Sequence, residues 1–179
     1  YDGTLVEFNE KPDLATPDAK LLQLIDALCA LPNNDVAIVS GRDQAFLDKW
    51  FASLPVTLIA EHGYYVKRNG ADWTGTGSSN KDWMTDVMPI FETFTDRTPG
   101  TFIETKNYSL AWHYRKADPE LSRTRTIELN TVLTSMVTNN DLSVLKGNKV
   151  IEIKSSNVNK GRAMSRVLMN EDYDFITII

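Results

Sequence analysis

Tyr1-Asp2-Gly3-Thr4-Leu5, at the start of the 179-residue chain, is the stretch around which the fold is predicted. A carboxylate, a glycine and a hydroxyl in this order are typical of a sharp turn at the end of a strand. Gly3 lets the backbone turn closely, and the Thr4 hydroxyl is expected to tie the turn. Taken alone, the stretch is equally compatible with a solvated Asp-Gly turn, so its meaning depends on the rest of the chain.

The composition excludes several classes of protein. The chain is 42% hydrophobic and 24% charged, which indicates one globular domain, or one domain carrying an insertion. No apolar run is long enough to cross a bilayer, so no membrane partner is expected. The formal net charge of −5 and the lack of a basic stripe argue against nucleic acid as a partner. Cys29 is the single cysteine, which excludes an internal disulfide and fits a reducing, cytoplasmic setting.

The first part of the chain predicts alternating helices and strands. Thr16-Pro17-Asp18 indicates a helix start with Thr16 as the N-cap, and Asp43 is expected to cap a second helix. Residues 36–39 are a short unbroken apolar run, as expected of a parallel strand buried on both faces, and residues 56–60 are predicted to form the next buried strand. This rhythm predicts a doubly wound parallel sheet.

The rhythm changes after residue 64. Asn69-Gly70 indicates a tight hairpin, and the polar residues 75–80 predict a linker. A helix, two strands, a second helix and two strands follow. The first pattern returns with a helix from Lys160 and an apolar strand over residues 175–179. We therefore predict an α/β fold: a Rossmann-like core of residues 1–75 and 155–179, with an inserted αββαββ cap of residues 76–154.

Polar residues are predicted at the carboxyl ends of the core strands, where open α/β sheets bind ligands. Ser40-Gly41-Arg42 follows a buried strand and precedes a helix, so the hydroxyl, the Gly41 N–H and the guanidinium are candidates to hold phosphate oxygens. Taken alone, these three residues favour an ordinary N-cap serine with a surface arginine. Lys160 begins a helix, where a cation is electrostatically disfavoured, and this favours a functional role.

Together these segments resemble a known family. The first five residues resemble the end of D-[FYL]-D-G-T-L, the signature of phosphatases of the haloacid dehalogenase superfamily. The resemblance narrows to the trehalose-6-phosphate phosphatases through I-V-S-G-R-D, A-E-H-G, E-T-K-N-Y-S-L-A-W-H-Y-R-K-A-D-P and I-E-I-K-S-S-N-V-N-K-G-R-A. Residues 104–119 are the most specific of these segments, and the resemblance covers the whole chain.

The resemblance implies Mg²⁺-dependent hydrolysis of trehalose 6-phosphate through an aspartyl-phosphate. It implies that Asp2 is the general acid and base and that its backbone carbonyl binds the metal. Ser40 and Lys160 would be catalytic residues that hold and neutralise the phosphate. The nucleophilic aspartate would precede Tyr1, and the acidic metal-binding segment G-D-D-x-x-D-E would follow Ile179. We therefore expect the chain to be an excised piece of a longer protein and to be inactive by itself. In many organisms the phosphatase of this family is fused behind a trehalose-6-phosphate synthase, which fits an excised domain.

The sugar site implied by the resemblance lies in the cap. Glu104, Lys106 and Glu152 match positions that contact the glucose distal to the phosphate, and Lys149 is a weaker candidate. Without the resemblance, these charges indicate only a solvated strand face. His62 is expected near the site without a chemical role, and His113 is expected to be structural.

Two alternatives remain open. One is a related capped phosphatase acting on another sugar phosphate, such as sucrose phosphate or mannosyl phosphoglycerate. The other is a non-catalytic domain that binds sugar phosphate and regulates a fused synthase. The acidic residues expected beyond each end of the chain distinguish an enzyme from a binding module.

Overall fold

The computed structural model describes residues 1–9, 12–75, 81–137, 141–169 and 172–179. The chain divides into two compact units, one formed by Tyr1–Gly77 with Val158–Ile179 and the other by Ser78–Asn157. Each unit has its own sheet and its own apolar core. Within the described ranges, no helix combines the length and the apolar character needed to span a membrane.

The helices and strands are named in chain order. They are α1 (Ala19–Cys29), β1 (Ala37–Val39), α2 (Gln44–Phe51), β2 (Thr57–Ala60), β3 (Tyr65–Lys67), β4 (Thr74–Gly75), α3 (Asp82–Asp96), β5 (Phe102–Thr105), β6 (Ser109–His113), α4 (Pro119–Val137), β7 (Leu142–Gly147), β8 (Val150–Ser155) and α5 (Lys160–Leu168). Short 3₁₀ turns occur at Pro12–Leu14 and Glu61–Gly63.

The sheet of the first unit is mixed, with strand order β1-β2-β3-β4. Strands β1 and β2 are parallel, as predicted, but β2, β3 and β4 pair antiparallel. The chain reverses at the predicted Asn69-Gly70 hairpin, where Gly70 has φ 74°. The prediction of a doubly wound parallel sheet therefore holds for one strand pair among the described residues. Of the predicted linker, residues 76–80 lie outside the described residues. Its first residue, Gly75, belongs to β4.

The apolar segment 175–179, predicted as a further parallel strand, does not form one. No strand is assigned there, and Ile179 is 87% exposed. A strand needs a neighbour to pair its main-chain groups, and none of the described strands pairs with this segment.

Helices α1 and α2 of the first unit are both capped by aspartates. Asp18, rather than the predicted Thr16, is the N-cap of α1: its extended backbone lets the carboxylate accept from Leu21 N at 2.7 Å. Pro17 therefore precedes the cap instead of occupying the first helical position. Asp43 caps α2 as predicted, accepting from Phe46 N at 2.8 Å.

The two faces of β2 bury different helices of the first unit. Leu58 and Ala60 join the cluster that contains Leu47 and Phe51 of α2. Ile59, on the opposite face, packs with Ala163 of α5. Alternate strand residues point to opposite faces, so both faces of this short strand are buried and its carboxyl end has a fixed position.

The sheet of the second unit is antiparallel, with strand order β5-β6-β8-β7. The predicted order of elements, helix–strand–strand–helix–strand–strand, is the order observed. Helices α3 and α4 contribute Phe91 and Leu129 to a core that also holds Trp112 and Ile151. The opposite face of the sheet is polar. It carries Glu104, Ser109, His113, Glu152 and Lys154, which we call the polar sheet face.

Candidate active site

The turn that begins the chain is tied by main-chain hydrogen bonds. The Tyr1 carbonyl accepts from Leu5 N at 2.8 Å, and Gly3 N donates to Val6 O at 2.8 Å. Gly3 has φ 75°, and a Cβ there would lie 2.8 Å from the Phe8 ring, so a larger residue would be both strained and crowded. Among the described residues, the exposed Thr4 hydroxyl takes no part in this bonding, which corrects the expected role.

Asp2 is held by a two-pronged ion pair with Arg42. Arg42 Nε donates to Asp2 Oδ2 at 3.0 Å, and Nη2 donates to Oδ1 at 2.6 Å. The side chains of Asp2 and Arg42 are 28% and 14% exposed, respectively. The guanidinium also lies 4.4 Å from the centre of the Phe46 ring. Arg42, predicted as a phosphate ligand, thus contacts the predicted general acid directly.

Ser40 and Gly41 form a loop with fixed geometry after β1. Ser40 is buried, its N–H donates to Ile59 O at 2.9 Å, and its carbonyl accepts from His62 N at 3.0 Å. Its Oγ accepts from Arg42 N at 3.1 Å. A Cβ on Gly41 would lie 2.6 Å from His62 Cε1, so the imidazole lies directly against the glycine. The predicted place of His62 beside this loop agrees with this contact.

The corner after β2 connects the Ser40 loop to α5. Glu61, His62 and Gly63 have φ values of 46°, 57° and 105°. Each non-glycine residue in this conformation costs about 1–3 kcal/mol, and such strain is concentrated at functional sites. A Cβ on Gly63 would lie 2.8 Å from the Asn159 carbonyl. The corner therefore packs closely on the residue that precedes Lys160.

Lys160 is the first residue of α5, whose N-cap Asn159 accepts from Arg162 N at 2.9 Å. Ala163 of the same helix packs with Ile59 of β2, and Gly63 lies against the Asn159 carbonyl, so the start of α5 lies beside the end of β2. The structure brings Asp2, the Ser40 loop and Lys160 to one end of the first unit.

The described residues do not fit a Mg²⁺ site by themselves. Mg²⁺ requires near-octahedral oxygen ligands, and no group of three His, Cys, Asp or Glu side chains able to hold a metal occurs in the described ranges. Both Asp2 carboxylate oxygens accept hydrogen bonds from Arg42. The predicted ligand, the Asp2 carbonyl, has no acidic cluster beside it there.

The polar sheet face of the second unit brings two carboxylates into ordered hydrogen bonds. Glu104 Oε2 lies 2.7 Å from His113 Nε2, and the imidazole stacks on Phe102 with a centroid distance of 4.5 Å. Ser109 Oγ donates to Glu152 Oε1 at 2.6 Å, and Lys106 Nζ lies 3.4 Å from the same oxygen. Glu104, Lys106 and Glu152, predicted as a group, are on one face of this sheet.

The electrostatics of this face favour the charged form of Glu104 and disfavour the charged form of Lys154. Burial alone would raise the pKa of Glu104, but the His113 hydrogen bond and the Lys106 charge outweigh it and hold the pKa below its ordinary value. Burial lowers the pKa of Lys154, and the Glu152 carboxylate opposes this shift. The face therefore presents an ionised acceptor at Glu104 near neutral pH.

Part of this face is not predicted from the sequence. Ser109 and Lys154 are not among the predicted site residues, and His113, expected to be structural, bonds to a predicted sugar ligand. The available signal is alternation: positions 109, 111 and 113 share a face, and so do 152 and 154. Lys149 lies in the turn between β7 and β8 with φ 64°, and its ammonium is 5.8 Å from the centre of the Tyr114 ring.

Comparisons with known proteins converge on one family. Residues 1–179 match the family described as Trehalose-phosphatase. The chain is 39% identical over 178 residues to a bifunctional trehalose-6-phosphate synthase/phosphatase of Thermoproteus tenax, covering 99% of this chain and 24% of that protein. It is 41% identical over 175 residues to a trehalose-phosphatase of Saccharomyces cerevisiae, covering 96% of this chain and 20% of that protein.

A solved structure agrees with these matches. The C-terminal domain of trehalose-6-phosphate phosphatase from C. albicans superposes with a TM-score of 0.90 at 39% identity. The match covers 94% of this chain and 60% of that domain. The chain spans about a quarter or less of the length of the two curated relatives.

Proposed function

Since the chain belongs to the trehalose-phosphatase family, within the haloacid dehalogenase superfamily, we propose that the protein carrying it hydrolyses trehalose 6-phosphate to trehalose and phosphate. The first unit is assigned to the Rossmann-like core and the second to the α/β cap. Because the Thermoproteus tenax relative is a synthase/phosphatase, a fused or associated synthase is the proposed partner.

The observation that carries the proposal is the grouping of Asp2, the Ser40–Gly41 loop and Lys160 at one end of the first unit. A phosphoryl group needs hydrogen-bond donors and positive charge around its oxygens, because negative charge spreads over them in the transition state. The Ser40 hydroxyl, the Gly41 N–H and the Lys160 ammonium supply both. A carboxyl group beside them supplies the proton that the departing sugar needs.

The proposed reaction has two steps. A carboxylate expected immediately before Tyr1 attacks phosphorus, and the bond from phosphorus to the sugar oxygen breaks. Asp2 gives its proton to that oxygen, which releases trehalose. Asp2 then takes a proton from water, which attacks the aspartyl-phosphate and releases phosphate.

The metal requirement of the proposed reaction comes from the family. Haloacid dehalogenase phosphatases generally use Mg²⁺, which neutralises phosphate charge when bound. The described residues lack the ligands for it.

The polar sheet face is the proposed site for the glucose ring that carries no phosphate. Glu104 and Glu152 are oriented acceptors for sugar hydroxyls, and Lys106 is a donor beside them. Buried polar groups that pair with hydroxyls discriminate strongly against ligands that leave them unpaired. Glu152 is 7% exposed, so its pairing depends on its neighbours and on the ligand.

The test uses the full-length protein and its Asp2→Asn variant. Wild type should release phosphate from trehalose 6-phosphate in a Mg²⁺-dependent reaction, and the variant should be slower by about 10²–10⁴-fold. Preferential hydrolysis of sucrose phosphate or mannosyl phosphoglycerate would instead identify a related phosphatase. Binding of sugar phosphate without hydrolysis would identify a regulatory module.

A further inference from the structure

We propose that Arg42 is a positioning residue that aims the Asp2 carboxylate, and that it does not bind the substrate phosphate. The inference rests on the proposed function, because it assigns a role around the same general acid. It differs from the expectation that Ser40, Gly41 and Arg42 all hold phosphate oxygens.

The pairing geometry supports this assignment. The two donors on one edge of the guanidinium are both bonded to Asp2, one to each carboxylate oxygen, at 3.0 and 2.6 Å. Two parallel charge-assisted bonds fix the orientation of a carboxylate as well as its position. A single contact would leave the carboxylate free to rotate. As the base of the second step, the Asp2 carboxylate must present one oxygen to the attacking water, so a fixed orientation serves its proposed chemistry directly.

The guanidinium itself is held on two further sides. Its flat face lies over the Phe46 ring at 4.4 Å, which favours a cation and restricts its plane. The main chain of Arg42 is also fixed: its N–H donates to Ser40 Oγ, and its carbonyl accepts from Glu61 N. Turning the side chain toward a phosphate would break both bonds to Asp2 and lose the aromatic contact.

This arrangement separates two functions within three consecutive residues. Ser40 and Gly41 provide the phosphate contacts, while Arg42 connects the same loop to Asp2. The loop that binds the phosphate is therefore also the element that sets the direction of the acid. Misplacing a catalytic group by about 1 Å is enough to slow a reaction by about 10²-fold.

The first experiment separates positioning from phosphate binding in the full-length protein. Arg42→Ala should lower kcat about 10²-fold, while the affinity for inorganic phosphate, measured by calorimetry, stays within about 2-fold of wild type. Arg42→Lys should remain slow, since an ammonium cannot bond to both oxygens in one plane. Arg68→Ala is the matched control. Arg68 is an exposed arginine of the same unit that donates to Val167 O, and its loss should leave both quantities unchanged.

The second experiment is chemical rescue. Millimolar guanidinium should restore part of the kcat of Arg42→Ala, and it should do nothing for Arg68→Ala or Asp2→Asn. Phe46→Leu, which keeps the apolar volume but removes the ring face, should lower kcat with unchanged phosphate affinity. A 10-fold loss of phosphate affinity in Arg42→Ala with near-normal kcat would overturn the proposal. An Arg42→Ala variant with a normal kcat that guanidinium does not change would overturn the proposal as well.

Failure of the proposed function gives a different result. If wild type hydrolyses no sugar phosphate, the phosphatase assignment is wrong, yet the calorimetric series still measures whether Arg42 binds phosphate. Reduced phosphate affinity in Arg42→Ala would then reject the positioning role independently of any activity.

Discussion

Gly41→Ala is the most direct test of the packing of the Ser40 loop, because it adds one methyl group whose distances to the neighbouring atoms are known. The new Cβ would lie 2.6 Å from His62 Cε1 and 2.7 Å from Nε2, well inside van der Waals contact. Gly41 does not have a positive φ, so the backbone tolerates alanine and the clash is the whole effect. Either the imidazole or the loop must move.

The expected magnitude follows from that overlap. An overpacked methyl group costs about 1–3 kcal/mol, which lowers Tm by roughly 2–4 °C for each kcal/mol in a domain of this size. Activity should fall further, by about 10²-fold in kcat/KM, because the loop also carries the Ser40 hydroxyl and the Gly41 N–H. Thermal unfolding and phosphate release measure the two effects separately.

Two further variants make the test decisive. Gly70→Ala also strains the chain, since Gly70 has φ 74°, but nothing lies within 4 Å of its Cβ position. It should lose stability without losing activity. In Gly41→Ala/His62→Gly the clashing ring is absent and the φ of 57° suits glycine, so activity should recover. Wild-type activity in Gly41→Ala, or a double variant no better than the single one, would refute the reasoning.

Three other predictions concern the polar sheet face and α5. Ser109→Ala removes the 2.6 Å hydrogen bond to the buried Glu152 carboxylate and should cost about 1.5–3 kcal/mol in chemical denaturation; a change below about 0.5 kcal/mol would contradict this. The pKa of Glu104 is lowered in the folded chain, so its stabilisation is present above the unfolded pKa and lost as the pH falls through the folded one. His113→Ala should weaken that acid-side dependence, and an unchanged pH–stability curve would count against the pair. Lys160→Ala should lower kcat more than it raises KM, because its charge matters most in the transition state; the reverse split in steady-state kinetics would mean ground-state binding.

The sequence predicted best those features whose cause is local. Asp43 caps α2 because its carboxylate reaches a nearby N–H, and Asn69-Gly70 forms a hairpin because glycine accepts a positive φ. The order of helices and strands in the second unit follows from short-range hydrophobic patterns. None of these depends on residues that are distant in the chain.

Most of the features missed depend on distant partners. The pairing of Arg42 with Asp2 joins residues 40 positions apart, and no spacing rule distinguishes it from a phosphate contact. His113 reaches Glu104 only because of the register in which β5 and β6 pair. This register places Glu104 opposite Ala111 and Phe102 opposite His113. Residues 175–179 have strand composition, but composition does not supply a neighbouring strand.

The contact between Gly63 and Asn159 has a consequence for how the chain accommodates change. The contact joins two residues whose intervening segment contains the whole second unit. The entropic cost of bringing the ends of such a segment together grows only with the logarithm of its length. Doubling the loop costs about 0.6 kcal/mol. The second unit is therefore free to lengthen, shorten or be exchanged during evolution at little thermodynamic cost to the end of the first unit that carries Ser40 and Lys160. Changes in the length of the second unit and preservation of the packing at this corner are in this sense separable within a single polypeptide.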